Sequence, residues 1–233
     1  MNDEAPVLKN LGISPGIGFP CDTYDSVSSL LSVASLMGLP AWREFDRAWN
    51  AIAYRYKACA EHDIAFTESF KRSSTSPSPI ERYLQERELF GFFSTGLSAM
   101  EACYYALFSI ASLHNPSNFR FSTDEHFRVT TVGRTAKAFS SCFPGKPFTS
   151  TILKTYLSKE YNDWKEAREV LNHRAQPSKT ICTRDGNDSH MHSQVCDIRL
   201  DQRTTSGRML WLTQTINDLV GCAASFCEEN SFP

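Results

Sequence analysis

Several things are missing from this sequence, and each absence removes a class of protein. Charge of one sign is not in excess: 24 Lys and Arg stand against 26 Asp and Glu, a formal net charge of -2. A broadly basic nucleic-acid binder of the histone kind is thereby excluded, while a local basic patch is not. The N-terminal MNDEAPVLKN carries early acids and no apolar run, so no secretory leader is expected. Eight cysteines occur, yet none forms a CxxC pair. Cys103 in EACYYALF and Cys222 in LVGCAASF sit in apolar, helix-like surroundings. Such scattered residues are expected as reduced, buried small hydrophobes in a cytoplasmic protein. Internal repeats are absent. GISPGIG, residues 12–18, has neither a preceding strand nor a following Lys, so it is not read as a phosphate-binding loop.

What remains is an ordinary globular composition, 41% hydrophobic and 21% charged over 233 residues. Residues 1–20 read as a flexible lead-in, and residues 21–230 as a single helical domain. Asp22, Thr23 or Asp25 offers a cap for a first helix with an apolar stripe at Val27, Leu30, Leu31 and Ala34, closed by Gly-Leu-Pro. From Ala41 to about Phe70 the large apolar residues recur at helical spacing through Trp42, Phe45, Trp49, Ile52 and Tyr56. KRSSTSPSP, residues 71–79, breaks the pattern. A further helix is expected from about Ile80 to His114, ended by Asn115-Pro116. Its stretch from Leu89 to Leu113 contains one charged residue, Glu101. That stretch is long enough to span a bilayer. Its glutamate, serines and glycines instead suit a central buried helix, and no membrane partner is expected.

Phe119 to Arg128 reads as irregular, Val132 to Cys142 as a short helix, and Thr149–Leu157 with Lys159–His173 as two helices or one bent helix. Strand character is confined to residues 178–200, where Asp185-Gly186 suits a hairpin turn. A final helix is expected from a Thr205 cap to about Phe226. The expected fold class is all-α: an up-and-down helical bundle with long antiparallel helices and a small β-hairpin or irregular excursion.

Chemistry concentrates in DWKEAREVLNHRAQP, residues 163–177. On a helix Trp164, Ala167 and Leu171 share a core-facing side, while Arg168 and Asn172 lie together on its flank. His173 lies about 140° around the helix from Arg168, so the two converge only at a helix end, at a bend, or in a groove shared with another element. Arg168-Glu169-Val170-Leu171-Asn172-His173 has the form R-x(4)-H. With the all-α organisation and a long apolar helix upstream, this stretch resembles the HEPN superfamily of helical-bundle proteins. The resemblance rests on about six residues plus the order of the helices. Many members of that family are metal-independent endoribonucleases with an R-x(4–6)-H site assembled at a dimer interface; others are toxins or antiphage effectors, and some have lost activity.

The resemblance implies Arg168 and His173 as catalytic residues, no cofactor and no metal, RNA as substrate, a homodimer, and an antitoxin protein as a further partner. A His can take or return the 2′-hydroxyl proton, and an Arg can hold the phosphate with forked donors. Asn172 and Arg174 are added as supporting groups that orient or contact RNA. Glu101 is added as a charge that holds Arg168 from the neighbouring helix. From Lys154 to Arg184 seven cations face four acids, a locally positive stretch. Active family members favour Asn, Asp or His directly after the Arg, whereas Glu169 stands here and would repel a phosphate. A non-catalytic bundle that binds protein or RNA is the alternative. Cys182, His190, His192 and Cys196 could ligate zinc, but their spacing matches no common finger and no metal is expected. His62 and His126 have no partner visible in the sequence.

Overall fold

The computed structural model describes residues 6–72, 77–173, 178–184, 188–195, 198–200 and 202–230; for residues 34, 173, 178–184, 188–195, 198–200 and 202–204 it describes backbone alone. The fold is all-α, a helical bundle with one small sheet. Its elements are α1 (Cys21–Leu31), α2 (Ala34–Met37), α3 (Pro40–Arg72), α4 (Pro79–His114), α5 (Asp124–Val129), α6 (Val132–Cys142), α7 (Pro147–Leu157), α8 (Lys159–His173), β1 (Ser178–Arg184), β2 (Asp188–Val195), β3 (Ile198–Leu200) and α9 (Gln202–Glu229). Among the described residues no helix is long and apolar enough to cross a membrane.

The chain gathers into two compact units. The first combines residues up to Arg55 with Ser98–Ser158 and the chain from Thr213 onward; the second combines Tyr56–Leu97 with Lys159–Leu212. Helices α3, α4 and α9 therefore contribute residues to both.

The first unit is built on aromatic packing. Tyr24 of α1 stacks on Trp49 of α3 with ring centroids 4.8 Å apart, and its hydroxyl donates to the Trp49 carbonyl at 2.8 Å. Phe108, Phe119, Phe139, Phe143, Phe148 and Phe226 form a second cluster, mostly edge to face, as ring quadrupoles favour. Tyr104 of α4 donates its buried hydroxyl to the Ile152 carbonyl of α7 at 2.7 Å. Residues 6–20 add Leu8 and Phe19 to the buried set. The turn between α6 and α7 passes through Gly145 at φ 77°, a left-handed conformation that glycine adopts without strain.

Helix ends depart from the expected caps where a neighbouring residue serves better. Helix α1 starts behind Pro20 with no side-chain cap, leaving Asp22 in the first turn to favour the helix dipole. The first helical stretch also breaks after Leu31, so α2 is a separate short turn of helix. Thr123 caps α5 inside the stretch read as irregular, accepting from the His126 amide at 3.3 Å. Helix α9 begins at Gln202, which leaves Thr205 buried inside it rather than at its cap. Between α7 and α8 the chain breaks at Ser158, whose ψ of 148° is extended. The sheet has order β1-β2-β3, all antiparallel, with Cys182 opposite His190 and Thr180 opposite His192. The turn assigned to Asp185-Gly186 lies outside the described residues.

Candidate functional site

Helix α8 carries the motif, and its inner face holds it in place. Tyr161, Trp164 and Ala167 are buried. Trp164 packs between Phe92 and Phe93 of α4, with centroids 4.8 and 5.1 Å away. Its ring lies against Gly96, where an added Cβ would overlap Cζ3 and Cη2 of the indole. Glycine is required here because the helix backbone itself forms the seat. At its start α8 is braced by Lys159, which pairs with Asp163 one turn on at 2.7 Å.

Toward its C-terminal end the helix emerges from this packing. Arg168, Val170 and Leu171 are half-buried, while Glu169 and Asn172 are exposed. Arg168 and Asn172 thus sit on the flank that their spacing indicates. The helix runs unbroken to His173, its last residue, so the positions of Arg168 and His173 remain about 140° apart around the axis. The His173 side chain, Arg174 and the residues up to 177 lie outside what is described. A pocket that uses both residues of the motif needs a second wall. Strand β2 lies alongside α8 on the same unit.

Glu101 belongs to the first unit and Arg168 to the second. Glu101 is half-buried. The deeply buried acid of α4 is instead Glu88, just before the uncharged stretch, with a side chain 7% exposed. Its carboxylate is answered on both oxygens. His62 of α3 places Nδ1 2.7 Å from Oε2, and Arg87 donates Nε to Oε1 at 2.7 Å and Nη2 to the same oxygen. A carboxylate can only accept, so the hydrogen of this contact sits on Nδ1 of His62. Burial pushes the Glu88 carboxyl up, but the hydrogen bonds from His62 and Arg87 outweigh it, and the group is held below the usual carboxylate range. The imidazole lies flat on α4 above Gly91, where a Cβ would collide with its ring atoms.

His62 and Glu88 are 26 residues apart in the chain, and nothing in the local sequence couples them. The one usable signal is the glycine at 91, one of two in α4.

Two further charges sit in this unit. Burial raises the Asp63 carboxyl, partly offset by a hydrogen bond from Thr205. Burial also lowers Arg208, partly offset by Asp163 and Glu160, while its guanidinium lies 6.0 Å from the Phe93 ring centroid. Among the described residues no group of three or more His, Cys, Asp or Glu could hold a metal ion. The side chains of Cys182, His190 and His192, and all of Cys196, lie outside them. Cys21, Cys59, Cys103, Cys142, Cys222 and Cys227 are free thiols, and all but Cys142 are buried.

The chemistry offered by α8 is a permanent cation and an exposed amide on one flank, with an imidazole position around the helix from them. No family model matches this chain, and neither the curated proteins nor the solved structures yield a match.

Proposed function

We propose that this protein is a HEPN-like, metal-independent endoribonuclease in which α8 supplies Arg168 and His173 to a site completed by a second copy of the chain. The supporting observation is the placement of Arg168-x(4)-His173. The buried Trp164 face locks the helix, and half-buried Arg168 and exposed Asn172 follow one and two turns beyond Trp164. Two residues about 140° apart on one straight helix serve one phosphodiester if the second copy brings its own α8 alongside. Arg168 would neutralise the phosphate as charge develops. His173 would remove the 2′-hydroxyl proton, leaving a 2′,3′-cyclic phosphate and a 5′-hydroxyl. Asn172 would orient the strand, and a role as a toxin or defence effector with an antitoxin partner follows from the same likeness.

The test is incubation of the purified protein with mixed RNA in EDTA, with the product ends identified by mass spectrometry. Wild type is expected to cleave, with Arg168→Ala and His173→Ala slower by about 100-fold or more. Absence of cleavage by wild type across structured and single-stranded RNA refutes the nuclease proposal.

A second reading has its own support. Glu166 and Glu169 are both exposed, on either side of Arg168 in sequence, and carry charge that disfavours a bound phosphate. On that reading the chain is a non-catalytic helical bundle that binds protein or RNA, and Arg168 serves structure. It expects no cleavage and no activity difference between wild type and His173→Ala.

A further inference from the structure

The first unit carries a groove that plays no part in the motif on α8. It is open to solvent, about 570 Å³, and lined by Thr131, Gly133, Arg134, Lys137 and Ser141 of the α6 segment, with Tyr156 of α7 as its far wall. Thr131, Arg134, Lys137 and Ser141 recur at intervals of three or four residues, so they form one stripe along α6, about 15 Å from end to end. No carboxylate lines the groove. Two other cations of this unit pair with acids, Arg47 with Glu44 and Lys146 with Glu229. Arg134 and Lys137 make no ion pair among the described residues.

Arg134 is also pre-positioned. Its guanidinium carbon lies 5.4 Å from the Phe108 ring centroid, a cation–π contact that fixes the head group without neutralising it. Opposite, the Tyr156 ring rests on α6 at Gly133, where a Cβ would come within 3.0 Å of the phenol oxygen. The missing side chain at 133 lets the aromatic wall approach the two cations.

We propose that this groove binds a single-stranded RNA segment, with Arg134 and Lys137 on successive phosphates, Thr131 and Ser141 as hydroxyl partners, and Tyr156 as a stacking surface for a base. Two uncommitted cations beside one aromatic face form the minimal arrangement for single-strand binding without base readout. An open groove of this length suits a strand of a few nucleotides better than a lone phosphate, which an enclosed site would hold more tightly. The inference goes beyond the α8 proposal and stands whether or not Arg168 and His173 cleave RNA.

The test is fluorescence anisotropy with a short fluorescein-labelled oligouridylate, titrated between about 50 and 200 mM salt. His173→Ala protein serves as the background, so that cleavage cannot confound binding. Replacing Arg134 and Lys137 together by Gln is expected to weaken binding at low salt about tenfold or more, and to reduce the salt slope by about 1.4, two single-strand phosphate contacts. Tyr156→Ala is expected to lose about tenfold and Tyr156→Phe to bind as the parent does. The same charge loss at Arg43 and Lys71, exposed cations of α3, is expected to leave binding within twofold.

Thermal melts accompany each variant. If the double variant melts early through loss of the Phe108 contact, the exposed Lys137→Gln alone is scored, with an expected slope change of about 0.7. The proposal is overturned if the background protein fails to bind at the lowest salt, if the groove variants bind as it does, or if the α3 control loses as much. It is also overturned if millimolar inorganic phosphate displaces the oligonucleotide, which would mark a lone-anion site, or if polyglutamate competes equally, which would mark an indiscriminate polyanion surface.

Discussion

Replacing Gly96 by Ala tests the seat of the motif helix directly. At an open helix position this exchange stabilises, because glycine costs about 1 kcal/mol relative to alanine through backbone entropy. Position 96 is not open. The new methyl would overlap two atoms of the Trp164 six-membered ring and lie 3.0 Å from Cys59 Sγ. The indole cannot swing aside, since Phe92 and Phe93 hold it with centroids 4.8 and 5.1 Å away. Overpacking of this kind costs about 1–3 kcal/mol, which cancels or exceeds the propensity gain. The expected net loss is up to about 2 kcal/mol, or up to about 4–8 °C in melting temperature for a chain of this size.

Urea titration followed by circular dichroism at neutral pH reads the change, and a double-mutant cycle isolates its cause. Trp164→Phe removes the colliding ring, so Gly96→Ala introduced into that background should cost little or stabilise. The difference between the two backgrounds should reach about 2 kcal/mol. Gly207→Ala and Gly221→Ala in α9, where a Cβ would meet nothing within 4 Å, are internal controls expected to stabilise by about 0.5–1 kcal/mol each. A Gly96→Ala protein as stable as these controls would refute the packing of α8 on α4.

The remaining expectations concern the polar groups. Because Glu88 is held below its unfolded value, its contribution is present above the unfolded carboxyl pKa near 4.5 and is lost as pH falls through the lower folded value; Glu88→Gln should therefore flatten the acid limb of a stability–pH curve, and an unchanged limb would contradict the pairing. His62→Ala should lower stability by about 1–3 kcal/mol in urea titration at neutral pH by leaving the buried carboxylate with one partner, and no change would deny that contact. Burial pushes Cys222 and Cys227 up to about 12 and raises Cys59 and Cys103 as well, so timed alkylation read by peptide mass spectrometry should modify half-buried Cys142 well before these four. Tyr104→Phe removes the hydroxyl that donates to Ile152 and leaves a buried carbonyl short of a partner, for an expected loss of about 1 kcal/mol by thermal melt.

Periodicity made the long helices readable in the sequence. The recurrence from Trp42 to Tyr56 lies within α3, which buries one face at helical spacing, and the uncharged stretch after Leu89 lies within α4, which buries residues on most sides. The core face of α8 is read from the spacing of Trp164, Ala167 and Leu171; the first two are buried, whereas Leu171, near the helix end, is half-buried. Short elements were less legible. Helix α5 is six residues long, too few for an apolar stripe, and only the Thr123 cap marks it. Thr205 looked like a cap because Ser and Thr favour that place, yet its hydroxyl is used by Asp63 from inside α9. Glu101 attracted notice as an isolated charge, while the acid that burial actually isolates is Glu88, in a stretch crowded with charges. The sequence shows how many charges a stretch holds; only the packing shows which of them faces inward. The His62 contact and the groove beside Tyr156 depend on residues from separate helices, and no local pattern announces either.

The two glycines of α4 at 91 and 96 act as keyways cut into one shaft, the first receiving an imidazole and the second an indole. Five residues separate them, so they open in directions about 140° apart and hold two different neighbours against sliding or rotation. A single residue inserted between them would turn one keyway about 100° away from its key, while substitutions on the outer surface of the same helix would leave both engaged. The alignment of α3 and α8 along this shaft is thus set by where side chains are absent.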